Sequence, residues 1–163
     1  MFKVGEYVVY KRNVCIVKEI KDIINNKYYV LKPIDDKSLT ISVLVNNKIS
    51  ALRKIISKED CEKSIKSIPN IEIIKTNDKL IENEYKKLIN TGKHEDLIKI
   101  IKTTYTRNNE RISNHKKIGE KDENYFNRAE NLLYNELSIS LGKNYDDTKA
   151  YVIQEVKKIL NVN

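Results

Sequence analysis

Leu52-Arg53-Lys54-Ile55-Ile56-Ser57-Lys58-Glu59-Asp60-Cys61 is where this 163-residue chain changes its period. Upstream, Tyr7 to Tyr10, Val14 to Ile20, Tyr28 to Pro33 and Leu39 to Val45 are short β-branched and aromatic runs, residues that suit a pleated, half-buried surface, and about five short strands fit into fewer than 60 residues. Asn25-Asn26, Asp35-Asp36-Lys37 and Asn46-Asn47 stand between them and supply turn chemistry, because Asn and Asp tolerate left-handed backbone. A sheet this small must curl on itself to bury one face and leave few open edges, so residues 1–56 are expected to form a small β-barrel.

Downstream, Ser57 has the chemistry of a helix N-cap, with Asp60 three residues on; Cys61, Ile65 and Ile68 then keep helical spacing until Pro69. That spacing makes Cys61 a small buried apolar side chain rather than a reactive thiol. Asp78 to Asn90 carries Ile81, Tyr85, Leu88 and Ile89 on one stripe, closed by Thr91-Gly92. Glu95 to about Arg111 is expected to turn Leu97, Ile98, Ile101, Thr104 and Tyr105 inward. Glu120 to Leu141, ended by Gly142, does so with Tyr125, Phe126, Ala129, Leu132, Leu133, Leu137 and Leu141. Asp146 to Leu160 is expected to bury Ala150, Ile153, Val156, Ile159 and Leu160. Residues 57–163 thus read as an all-α helical bundle, and the chain as an α+β two-domain protein.

The sequence has 31 Lys and Arg against 23 Asp and Glu, a net charge of +8. Residues 1–57 hold 11 basic and 5 acidic groups, whereas 58–163 hold 20 and 18, so most of the excess lies on the strand-rich part. A positive surplus favours a polyanion or an acidic protein surface as partner. In the helical part, Lys99 to Lys121 contains seven basic residues and two acids, and it crosses the connection between two helices. Arg107, Arg111, Lys116, Lys117 and Lys121 in that stretch are the strongest local candidates for phosphate contact.

Catalytic chemistry is poorly supplied. The four glycines are too scattered for a phosphate cradle, and Cys15 and Cys61 lack metal-ligand spacing. An enzyme would have to assemble a site from Cys15 or from His94 and His115, yet His94 beside Glu95 reads as an exposed residue at a helix start. A binding protein with no metal and no cofactor is the expectation. No apolar run approaches the roughly 20 residues that cross a bilayer, and Met1-Phe2-Lys3-Val4-Gly5 lacks the apolar core of a signal peptide. A soluble, cytoplasmic protein without membrane contact follows as an expectation.

The order of small barrel and helical bundle resembles the CarD/CdnL family of bacterial transcription regulators. The opening Met1-Phe2-Lys3-Val4-Gly5-Glu6-Tyr7-Val8-Val9-Tyr10 is similar to that family's start. Tyr28 to Pro33 followed by Leu39 to Val43 resembles its central hairpin, and Leu52 to Ile56 its closing strand. Farther on, Leu88-Ile89-Asn90-Thr91-Gly92, Ile101 to Tyr105, Glu110-Arg111 and Ala129 to Leu137 follow its helical pattern.

The resemblance implies an SH3/Tudor-like barrel that binds the RNA polymerase β subunit by adding one strand to its sheet, and a helical domain that touches upstream promoter DNA with little sequence preference. Such a protein is a non-enzymatic regulator of open-complex stability, associated with the nucleoid through polymerase and acting as a monomer. The docking strand carries over to Leu39 to Val45. Side-chain alternation sets Thr40, Ser42 and Leu44 on one face, the expected contact, and Ile41, Val43 and Val45 on the other. Lys121 follows the helix entry where relatives place a DNA-contacting lysine; Lys86 and Lys87 before Gly92 are further candidates. The family's tryptophan wedge falls near Asn77 or Asp78, and this sequence has no tryptophan. Tyr85 is the aromatic that could substitute, unless it belongs to the core. An adaptor that binds polymerase without touching DNA is the alternative.

Overall fold

The computed structural model describes residues 1–48 and 51–161. The chain divides into two compact units, Met1–Ile56 and Ser57–Asn163.

The first unit is a five-stranded antiparallel sheet: β1 (Tyr7–Tyr10), β2 (Asn13–Ile23), β3 (Asn26–Pro33), β4 (Ile41–Leu44) and β5 (Leu52–Lys54), in the order β4-β3-β2-β1-β5. Five strands are as the sequence predicts; closure into a barrel is a further step, and among the described residues no ladder joins β4 to β5. A register shift between Val17 and Glu19 leaves Lys18 as a bulge, the device that sharpens twist and lets a small sheet curl. Val8, Cys15, Val17, Leu31 and Val43 form the core, with Ile41, Val45 and Leu52 packed on it. Each such fully buried aliphatic contributes roughly 2 kcal/mol.

The β2–β3 turn differs from the sequence reading by one residue. Ile24 and Asn25 carry it, with φ of 44° and 65°, and Ile23 already pairs with Asn26. Positive φ at both central residues is the hairpin turn that matches strand twist. A β-branched residue adopts it at a cost, which the long β2–β3 ladder overrides.

The second unit contains α1 (Lys58–Ser67), a 3-10 turn at Ile68–Asn70, α2 (Ile81–Thr91), α3 (His94–Ser113), α4 (Glu120–Leu141) and α5 (Tyr145–Ile159). Ser57 Oγ accepts from the Asp60 N–H at 3.1 Å, and Asn144 Oδ1 from Asp147 at 2.8 Å, so α1 and α5 begin on side-chain caps. Gly92 and Gly142 end α2 and α4 in the left-handed conformation, φ 65° and 64°. Lys102 donates to the Ile68 and Ile71 carbonyls at 2.8 and 2.5 Å and closes the 3-10 turn.

Two faces are rotated from expectation. In α3, Ile100 and Thr103 are buried and Tyr105 is 60% exposed. In α5, Thr148 and Val152 face inward, while Ala150 is exposed and Ile153, Ile159 and Leu160 are 45%, 43% and 54% exposed. The buried threonines explain the shift. Thr103 and Thr148 bond their hydroxyls to the carbonyls of Lys99 and Asn144, both at 2.7 Å, so burial leaves no orphaned donor.

Candidate functional site

The outermost position of β4 determines what it can do. β4 pairs with β3 through Leu31–Ile41, Val30–Ser42, Tyr29–Val43 and Tyr28–Leu44. One register step on, Val45 donates its N–H to the Lys27 carbonyl at 2.8 Å. Antiparallel pairs alternate between bonded and non-bonded, so Ile41, Val43 and Val45 turn their main-chain groups to β3. Ser42 and Leu44 therefore turn theirs to the open edge. The side chains follow the same alternation: Val43 is buried, Ile41 half-buried against the core, and Thr40 and Ser42 exposed. Leu44 is half-buried. The residues whose side chains the sequence nominated for contact include those with outward main-chain donors and acceptors, an arrangement able to accept a further strand.

In the helical unit the structure splits the nominated basic residues into two kinds. Arg107 and Arg111 are held by Asp122, which is 2% exposed. Asp122 Oδ1 accepts from the Tyr85 hydroxyl at 2.7 Å; Oδ2 accepts from Arg107 Nε at 3.0 Å and Arg111 Nη1 at 2.5 Å. Arg107 also pairs with Asp78 at 2.9 Å, and Asn108 Oδ1 accepts from Arg111 and from the Gly119 N–H. This clasp ties α2, α3 and the start of α4 together. Burial pushes the Asp122 carboxyl up, and Tyr85, Arg111 and Arg107 outweigh it, leaving the group below the ordinary aspartate range. Burial and the Asp122 bond push the Tyr85 phenol up. Removing either arginine from this arrangement to meet a phosphate would strand a buried carboxylate.

The lysines are placed otherwise. Lys86 lies 3.7 Å from Glu82, Lys87 3.4 Å from Glu84 and Lys121 3.0 Å from Glu82, and all three lysines are exposed. Exposed pairs of this kind hold weakly, so phosphate can compete for the lysine. Lys116 and Lys117 are exposed in the α3–α4 connection, and no ion pair engages them among the described residues. That connection lies at the end of the unit where α2 and α4 begin and α3 ends.

Tyr85 is fully buried, so it belongs to the core and is no wedge. Asp78, where the resemblance locates the wedge, is exposed and paired with Arg107. Leu80, which the sequence reading passed over, is 50% exposed beside it. His94 is not an exposed capping residue: its Nε2 meets Glu136 Oε2 at 2.6 Å, with side chains only 17% and 4% exposed. Cys15 and Cys61 are fully buried, and burial pushes each thiol up to about 11. Among the described residues no group of His, Cys, Asp and Glu is arranged to hold a metal ion, and no helix is long and apolar enough to cross a membrane.

The sheet with its open edge has a counterpart among known domains. Residues 2–56 match the CarD-like/TRCF RID domain, almost the whole of the first unit. The match is confined to the sheet unit and is consistent with a CarD-like domain there. Domains of that family are protein-interaction modules of transcription factors and interact with RNA polymerase. No curated protein matches the chain.

Proposed function

We propose that the protein is a non-enzymatic transcription regulator that docks on the RNA polymerase β subunit through β4 and presents its helical unit to upstream promoter DNA. In this reading the sheet curls into a small SH3/Tudor-like barrel that stays open along β4, where Thr40, Ser42 and Leu44 meet a strand of the β subunit. The observation that carries it is the outward main chain of Ser42 and Leu44 on a domain whose family binds polymerase. Lys116 and Lys117 contact phosphate, joined by Lys86, Lys87 and Lys121 as they exchange carboxylate partners. Arg107 and Arg111 leave the contact set and hold the connection in shape. Phosphate contact positions without reading bases, and tethering to polymerase makes a weak contact sufficient. The protein then modulates open-complex stability, as a monomer in the cytoplasm that is found with the nucleoid through polymerase. Leu80, an exposed apolar side chain beside Asp78, is the wedge candidate.

Ser42→Pro tests the docking step. Proline is tolerated on an edge strand when its missing N–H faces solvent, so the sheet keeps its ladder while a docked strand loses a donor and meets the ring. Binding of the full chain to a β-subunit fragment is expected to weaken about thirtyfold; unchanged binding would overturn the proposal.

A second reading, a polymerase adaptor without DNA contact, is favoured by one fact: five of the seven nominated basic residues are ion-paired within their own unit. Neutralising Lys116 and Lys117 distinguishes the two, since only an adaptor keeps an unchanged open-complex lifetime.

A further inference from the structure

The rotated faces of α3 and α5 leave apolar side chains uncovered in one place. Tyr105 of α3, Phe126 and Leu133 of α4, and Val152 and Ile153 of α5 line a groove of about 520 Å³ within the helical unit, the size of a small-molecule site. Thr103 and Thr148 take inward positions, and helical geometry then turns Tyr105 and Ile153 away from the core and onto the groove. The 3-10 turn bounds it: Ile68 lines it, and Lys102 holds the turn through its carbonyls.

Polar groups converge on this apolar surface. Tyr134 lines the groove and is 6% exposed, and its hydroxyl makes no hydrogen bond among the described residues. A buried phenol ordinarily finds a partner. Its neighbour Tyr145, with ring centroids 5.8 Å apart, spends its own hydroxyl on Asn131 at 2.9 Å. Burial and the nearby Glu130 carboxylate push the Tyr134 phenol up to about 12, so it stays a donor at neutral pH. Glu130, one helical turn before Tyr134, accepts from Lys149 at 2.7 Å, which occupies one of the three ammonium donors. Lys157, two turns along α5 from Lys149, is exposed and has no carboxylate partner among the described residues. Lys102, Lys149 and Lys157 thus stand against a single acid around the groove.

We propose that the groove binds a small amphipathic acid, its apolar body laid over Phe126, Leu133, Val152 and Ile153 and its carboxylate received by the Tyr134 hydroxyl and the Lys149 ammonium. The site goes beyond the docking reading and uses neither β4 nor the exposed lysines of α2 and the α3–α4 connection. The unpaired hydroxyl and the cationic excess call for an anionic acceptor, and an apolar body displaces water from the walls. A partner helix would cover the walls, but its main-chain acceptors are already engaged and leave the hydroxyl unpaired.

The test titrates the full chain with decanoate by calorimetry, with decanol as the neutral-head comparison. Decanoate is expected to bind and to raise the unfolding temperature. Tyr134→Phe keeps the ring and removes only the hydroxyl, and affinity is expected to fall about tenfold. Ile153→Glu sets a like charge in the groove from an exposed position and is expected to weaken binding at least as much. Lys63→Gln, at an exposed lysine of α1, is expected to change nothing. Absence of decanoate binding overturns the proposal, as does binding that ignores both Tyr134→Phe and Ile153→Glu. Decanol bound as tightly as decanoate overturns it too, because the head is then not recognised. So does a chain that sediments as a dimer until Ile153→Glu separates it, since a second copy is then the occupant. Polymerase takes no part in these measurements, so their failure leaves the docking reading standing.

Discussion

The two units treat polar groups in opposite ways. The sheet unit has a core of Val, Leu, Cys and Tyr, and all the buried polar and charged residues among those described, from Thr103 to Thr148, lie in the helical unit. The sheet keeps its polar potential on the outside, as an open β4 edge and as exposed lysines. The helical unit turns its charge inward, with Asp122 gathering Tyr85, Arg107 and Arg111, and Glu136 meeting His94. Net charge differs as well: residues 1–57 hold 11 basic and 5 acidic groups, against 20 and 18 in residues 58–163. The contrast separates groups available to a partner from groups that give a bundle its shape.

Removing the Asp122 charge should break this division most severely. Asp122→Asn leaves Arg107 and Arg111 facing a neutral amide, with an expected loss of about 3 kcal/mol in the unfolding free energy of the helical unit. The same clasp has a pH signature. A carboxyl lowered in the fold contributes stability that is present above its unfolded value, about 3.9, and is lost as pH falls through the lower folded value. Acid titration of the wild-type chain should therefore show a decline below about pH 4 that is shallower in Asp122→Asn; parallel curves would show that the clasp is not coupled to folding.

Gly119→Ala sharpens the comparison with a smaller effect. A Cβ there would stand 2.5 Å from Arg111 Nη1, and the guanidinium cannot swing away without leaving Asp122 and Asn108. A loss of about 1 kcal/mol is expected in chemical denaturation, with polymerase binding unaffected. Lys116→Gln and Lys117→Gln should not move stability at all. Each should lower the salt slope of DNA binding by about 1, and an unchanged slope would favour the adaptor. Smallest of all, Cys15 and Cys61, with thiols pushed up to about 11, should resist alkylation in the folded protein and react only after denaturation. Rapid labelling of the native chain would show that one of the cores opens.

Much of the architecture was legible because it is local. Ser57, Gly92 and Gly142 announced helix boundaries through backbone chemistry that needs no distant partner, and the alternation of Thr40 to Val45 sorted core from surface. The turn at Ile24 was misplaced because the β2–β3 ladder, not the turn residues, sets its position. The α5 face was misassigned because threonine hides its hydroxyl in its own helix, and a polarity scale does not register that. Leu80 gave no signal, since an exposed leucine at a helix start looks like any other apolar residue.

Sequence by itself determined the two-part order, the position of the boundary and the alternation along β4, because periodicity and capping act over a few residues. Only the tertiary structure decided which charges are available. Arg107 and Lys116 look alike along the chain, and what separates them is Asp122, brought from another helix and withdrawn from water, where a carboxylate must keep every cation it can reach.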